Sequence, residues 1–112
     1  MTSNDTRSAK IAALNDWARY NLKGCRVYLT AGIAAFPDEE QDLIVAKVRN
    51  FSQFTEDNDP YGEHDFGAFD HAGDRIYWKI DYYDAQVENG SPDPTNPKVT
   101  TRVLTVLLAE EW

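Results

Sequence analysis

A chain of 112 residues with 42% hydrophobic and 12% aromatic content is long enough for one domain around one core and too apolar to be disordered throughout. Its single cysteine excludes an internal disulfide framework, and no apolar stretch approaches the ~20 residues that a membrane span needs, so a soluble, cytoplasmic protein is expected. The net charge of −8 argues against direct binding of nucleic acid or anionic lipid, and for cations or a basic protein as partner.

Met1 to about Asp5 is polar and expected to fray. From Thr6 to Leu22, the apolar residues Ile11, Leu14, Ala18 and Leu22 recur at helical spacing, while Lys10, Asp16, Arg19 and Lys23 fall elsewhere. Gly24 follows as a C-terminal cap would. Arg26 to Thr30 alternates as a short strand, with Val27 and Leu29 on one side, and Cys25 just before it reads as half-buried and inert. Ala31 to Phe36 is a compact apolar connection of about one helical turn. Pro37-Asp38-Glu39-Glu40-Gln41 opens a second helix, with Asp38 placed to cap it and Gln41 to close a capping box. Ile44, Val48 and Phe51 give that helix its buried stripe, which runs to about Asn50.

A polar, acidic stretch then runs from Thr55 to Phe69, and Pro60 and Gly62 keep its first part irregular. Asp65 to Asp70 and Arg75 to Tyr83 read as a β-hairpin about His71-Ala72-Gly73-Asp74. The second hairpin strand alternates strictly. Ile76, Trp78, Ile80 and Tyr82 should pack on the helices, leaving Tyr77, Lys79, Asp81 and Tyr83 on the solvent side. Asp84 to Lys98 is turn-rich and expected to be mobile at its tip. Val99 to Ala109 has two apolar faces, which suits a central strand, although Val103, Leu104, Leu107 and Leu108 also share one helical face. The predicted fold is a single α+β domain over 1–112, with two helices packed on a small antiparallel-rich sheet of about four strands.

The charge is concentrated in the middle. Residues 52–97 hold eleven acids against Arg75 and Lys79, a net −9, and the remainder holds eight acids and nine bases. Asp57-Asn58-Asp59 begins like a calcium loop with Gly62 in sixth place, but Tyr61 stands where the third oxygen ligand belongs and Ala68 where the bidentate Glu is required. Glu63, His64 and Asp65 are ligand types that an extended chain would point to alternate sides, and His71 is too far along to share an ion with His64. Asp57, Asp59, Glu63 and Asp65 supply carboxylates for one divalent ion, and His64 beside an Asp could do acid–base work. Alternatively, these side chains bond the backbone amides of their own loop. The four serines lie in termini or connections, no phosphate-cradling glycine loop occurs, and no catalytic residue, metal or cofactor is assigned.

The run Phe54-Thr55-Glu56-Asp57-Asn58-Asp59-Pro60-Tyr61-Gly62-Glu63-His64-Asp65-Phe66-Gly67 resembles a family of small bacterial proteins that form a domain of unknown function. Trp78-Lys79-Ile80-Asp81-Tyr82-Tyr83 and Gly90-Ser91-Pro92-Asp93-Pro94 carry the same resemblance, which spans Ile11 to Glu111. It implies a bacterial, single-domain, cytosolic protein, often found near mobile genetic elements, and supplies no activity. The function expected is a small acidic interaction protein that meets a basic protein surface, such as that of a nucleic-acid-binding enzyme. In its finer form it is an inhibitor that mimics DNA, of the anti-CRISPR or anti-restriction type. The expected contacts are Glu56, Asp57, Asp59, Tyr61, Glu63, Asp65, Tyr77, Lys79, Asp81 and Tyr83. The alternative is a metal-assisted hydrolase or divalent-metal-binding protein built on the acidic loop and His64.

Overall fold

The computed structural model describes residues 3–112. Helix α1 (Ser3–Asn21) is followed by β1 (Cys25–Leu29), the single turn α2 (Ala31–Ala34) and α3 (Asp38–Arg49). Strands β2 (Phe66–His71), β3 (Asp74–Tyr83) and β4 (Thr101–Leu108) follow, then a closing 3-10 turn (Ala109–Glu111). Of the stretch 1–5 expected to fray, Met1 and Thr2 lie outside the described residues, whereas Ser3 to Asp5 are helical and begin α1 ahead of Thr6, since a polar run can extend a helix that its later apolar stripe anchors. No helix among the described residues is long and apolar enough to cross a membrane.

The four strands form one sheet in the order β1-β4-β3-β2. The expected hairpin is present, with Ala72 at φ 52° and Gly73 at φ 85° making a turn whose twist suits the two strands it joins. Residues 101–108 are a strand and not a helix, antiparallel to β3 on one side and parallel to β1 on the other. With its two edges paired in this way, β4 is central, and it buries Leu104 and Val106 on one face and Val103 and Leu107 on the other, which explains why its apolar residues follow neither strict period.

The core lies between the sheet and the helices. Ile33, Ile44 and Val48 meet Ile76, Trp78, Ile80, Leu104 and Val106, all at most 3% exposed, and burying each aliphatic side chain stabilises the fold by about 1.5–3 kcal/mol. Trp78 lies across β2 at Gly67, where any Cβ would overlap the indole. The opposite sheet face carries Tyr77, Lys79, Asp81 and Tyr83, each half-buried, with a Lys79–Asp81 ion pair at 2.8 Å. Trp112 folds over this face, its ring 5.8 Å from those of Phe66 and Tyr77.

Three further local expectations change. Leu22 at φ 53° already leaves α1 in the left-handed region, ahead of Gly24. The N-cap of α3 is Pro37 and makes no side-chain bond, while Gln41 turns back to donate to the carbonyls of Ala34 and Phe36. The free carbonyls at the end of α2 are the better partners for an amide. The 84–98 loop is tied down around Ser91, whose amide donates to Tyr82 O and whose hydroxyl meets Thr100 Oγ1 at 2.7 Å.

Candidate functional site

The acidic loop is a closed, hydrogen-bonded structure. Thr55 and Asn58 exchange side-chain bonds with each other's amides, at 2.9 and 3.3 Å, and Asn58 Nδ2 donates to Gln53 O. The Asp59 side chain is only 5% exposed. Its Oδ1 accepts from the amides of Glu63 and His64, both at 3.1 Å, so one carboxylate fixes the turn through Pro60-Tyr61-Gly62. His64 is held at φ 55°, in the left-handed region that His enters more readily than most residues. Its ring lies flat on Phe54, 3.9 Å between centroids, and Nδ1 is 3.0 Å from both oxygens of Asp16.

Beneath the loop lies a buried polar layer. Asn15 is fully buried; its Nδ2 donates to Glu63 O and to the Tyr82 hydroxyl, and its Oδ1 accepts from Arg102 Nε at 2.7 Å. The Tyr82 hydroxyl in turn donates to Glu63 Oε1 at 2.9 Å. Burial, with the charges of Asp65 and Glu63 adding to it, pushes the Tyr82 hydroxyl far above its usual range, so it keeps its proton. Arg19, 3% exposed, donates to the carbonyls of Val48, Arg49 and Phe51 and to Asp16 Oδ1. It caps the C-terminal end of α3, whose last carbonyls have no partner within the helix. Burial lowers the Arg19 and Arg102 guanidinium pKa values, but both stay charged, Arg19 helped by Asp16.

The expected contact residues therefore separate into three groups, with Asp65 standing apart. Asp59 and Glu63 turn inward and bond to their own chain. Glu56, Asp57 and Tyr61 point outward, Tyr61 at 80% exposure. Tyr77, Lys79, Asp81 and Tyr83 lie on the sheet face opposite the helices, so they form no continuous surface with the loop's inner side. Asp65 is half-buried, and burial together with Glu63, Asp59 and Asp81 raises its pKa.

The ligand set of a metal site is not assembled. His64 faces Asp16 with Nδ1 and Asp59 with Nε2, at 3.0 and 3.7 Å, so its two carboxylates lie on opposite sides of the ring. Among the described residues no three His, Cys, Asp or Glu converge as metal ligands would. His71 stands at the far end of the sheet, enclosed between Lys47 Nζ and Glu40 Oε2. Cys25 is half-buried against Ala18 O with its thiol pKa raised by burial, as an inert cysteine's would be.

The chain belongs to the DUF3768 family. The model of that family, described as a protein of unknown function, matches residues 29–111 and so includes the whole loop motif. Neither a curated protein nor a solved structure matches the chain. DUF3768 membership accordingly names the domain without assigning it a chemistry.

One further feature lies where the DUF3768 segment meets α1. A cleft of about 590 Å³ opens between the second half of α1, the end of α3 and residues 51–54, with His64 and Asp16 at its edge. Trp17 and Tyr20, 55% and 57% exposed, stand on its α1 wall. Periodicity does not mark it, because Trp17 and Tyr20 lie outside the apolar stripe Ile11, Leu14, Ala18 and Leu22 of α1. The signal in the sequence is a pair of aromatics three apart, Trp17 and Tyr20, that falls off that stripe.

Proposed function

We propose that this protein is a small acidic interaction module that presents the tip of its loop, Glu56, Asp57 and Tyr61, to a basic protein surface. The observation that carries this reading is the pairing of a fixed loop with an outward tip. Asp59, Asn58 and Thr55 hold the backbone, while Tyr61 is the most exposed large aromatic among the described residues. A loop already ordered before contact avoids part of the entropic cost of binding. Tyrosine flanked by charge is the composition that interfaces favour.

The finer form of the proposal makes the module an inhibitor whose partner's basic groove otherwise holds duplex DNA. It requires more carboxylates than the tip supplies, so Asp70 and Asp74 at the hairpin turn and the exposed α3 acids Asp38, Glu39 and Asp42 would have to contribute. The metal-assisted alternative has less support, since its ligands face apart.

Affinity capture at low and at high salt, with wild type and with a Glu56→Ser/Asp57→Ser/Tyr61→Ser variant, tests the proposal. The expected result is a basic partner retained at low salt, released as salt screens the charges, and lost with the variant while its melting temperature is unchanged. Duplex DNA should displace the partner if the inhibitor form holds. A variant that retains every protein the wild type retains contradicts the reading.

A further inference from the structure

The cleft beside α1 differs in chemistry from the acidic tip. Residues 1–30 hold five basic and two acidic side chains, in a chain whose net charge is −8. On that cationic part, Trp17 and Tyr20 expose aromatic surface that the core does not use. The Arg49 guanidinium stands 5.7 Å from the centre of the Tyr20 ring. Its Nε donates to Tyr20 O at 2.7 Å, and its two terminal nitrogens have no partner among the described residues. On α1, one turn before Tyr20, Asp16 keeps a side chain 45% exposed although it already holds Arg19 and His64. An ionised carboxylate has about four lone-pair sites, so it can accept a further donor.

We propose that this cleft binds a mononucleotide, with the base against Trp17 and Tyr20, an amino group of the base donating to Asp16, and the phosphate in the fork of Arg49. Each demand has its residue. Aromatic faces stack any base, a guanidinium fork matches a phosphate, and an acceptor-only carboxylate favours an exocyclic amino group, with its two N–H donors, over the single ring N3–H of uracil. The cleft's volume of about 590 Å³ falls within the ~300–1,000 Å³ of small-molecule sites. A polymer fits less well. The overall negative charge opposes a ligand whose own charge grows with length, whereas one phosphate meets mainly the nearby guanidinium.

Calorimetric titration of the folded full-length protein with AMP, GMP, CMP and UMP, their nucleosides and a short single-stranded oligonucleotide tests this. Saturable binding of AMP, GMP or CMP is expected, tighter than UMP, with the matching nucleoside weaker by about tenfold or more. Arg49→Ala should abolish the difference between nucleotide and nucleoside, and Trp17→Leu should weaken both by about tenfold. Both side chains are exposed, so thermal melts should show intact folds for both variants. No saturable binding by any monophosphate overturns the proposal, as does binding that neither variant alters. UMP binding as tightly as the others removes the amino-group contact to Asp16, and an oligonucleotide binding more tightly than any monophosphate replaces the mononucleotide with a strand.

Discussion

The inner side of the 55–65 loop and its tip are made of the same residue types and are used in opposite ways. Asp59 is 5% exposed and accepts two backbone amides. Asp57, two residues earlier, is exposed and makes no side-chain bond among the described residues. Beneath Asp59, Asn15, Arg19 and Arg102 continue the inward pattern as buried polar groups paired within the chain. The acidity of a segment therefore does not measure its capacity to meet a partner. Some of the carboxylates build the platform and others stand on it.

Removing the platform should have the largest effect. Arg19→Ala should cost about 3 kcal/mol or more, because the carbonyls of Arg49 and Phe51 lose their side-chain donor and that of Val48 keeps only the Phe51 amide, and a urea unfolding curve would show it as a lower midpoint. Asp59→Ala should cost about 1–2 kcal/mol, since two loop amides lose their acceptor. Asp59→Asn should cost less by the same measurement, because its amide oxygen can still accept.

Asp65 sharpens the contrast through pH. Its folded pKa is raised by burial and then by Glu63, Asp59 and Asp81, so its ionised form is disfavoured in the folded state. That destabilisation is fully present at neutral pH, is relieved as pH falls through the raised folded pKa, and vanishes below the unfolded value of about 3.9. Asp65→Asn should therefore melt above wild type at neutral pH, with the advantage closing as pH is lowered into the carboxylate range. At the tip, Glu56→Gln and Asp57→Asn should shift stability by less than about 0.5 kcal/mol, while weakening capture of a basic partner.

Much of the architecture could be read from the residues. Alternation of Ile76, Trp78 and Ile80 placed β3 and its buried face, and the two apolar faces of residues 103–108 marked a central strand. The parallel pairing of β1 with β4 could not be read, because β1 is five residues long and nothing local names its neighbour. The polar layer under α1 was hidden for a different reason. Helical periodicity assigns Arg19 to a solvent face, yet the end of α3 arrives above it with carbonyls that need a donor. Only the tertiary arrangement makes burying that charge favourable. The inward turn of Asp59 was visible as one alternative, since an Asp before Pro60 and Gly62 commonly binds its own loop amides. Which of the neighbouring acids took that place depended on how the loop meets His64 and Asp16.

Amide hydrogen exchange at Glu63 and His64 tests most directly whether Asp59 fixes the loop that carries Glu56, Asp57 and Tyr61. The structure predicts that both amides are protected in the wild-type protein and exchange freely in Asp59→Ala, with the β3 amides unaffected. Free exchange at both positions in the wild type would contradict it, because the tip would then have no fixed platform to stand on.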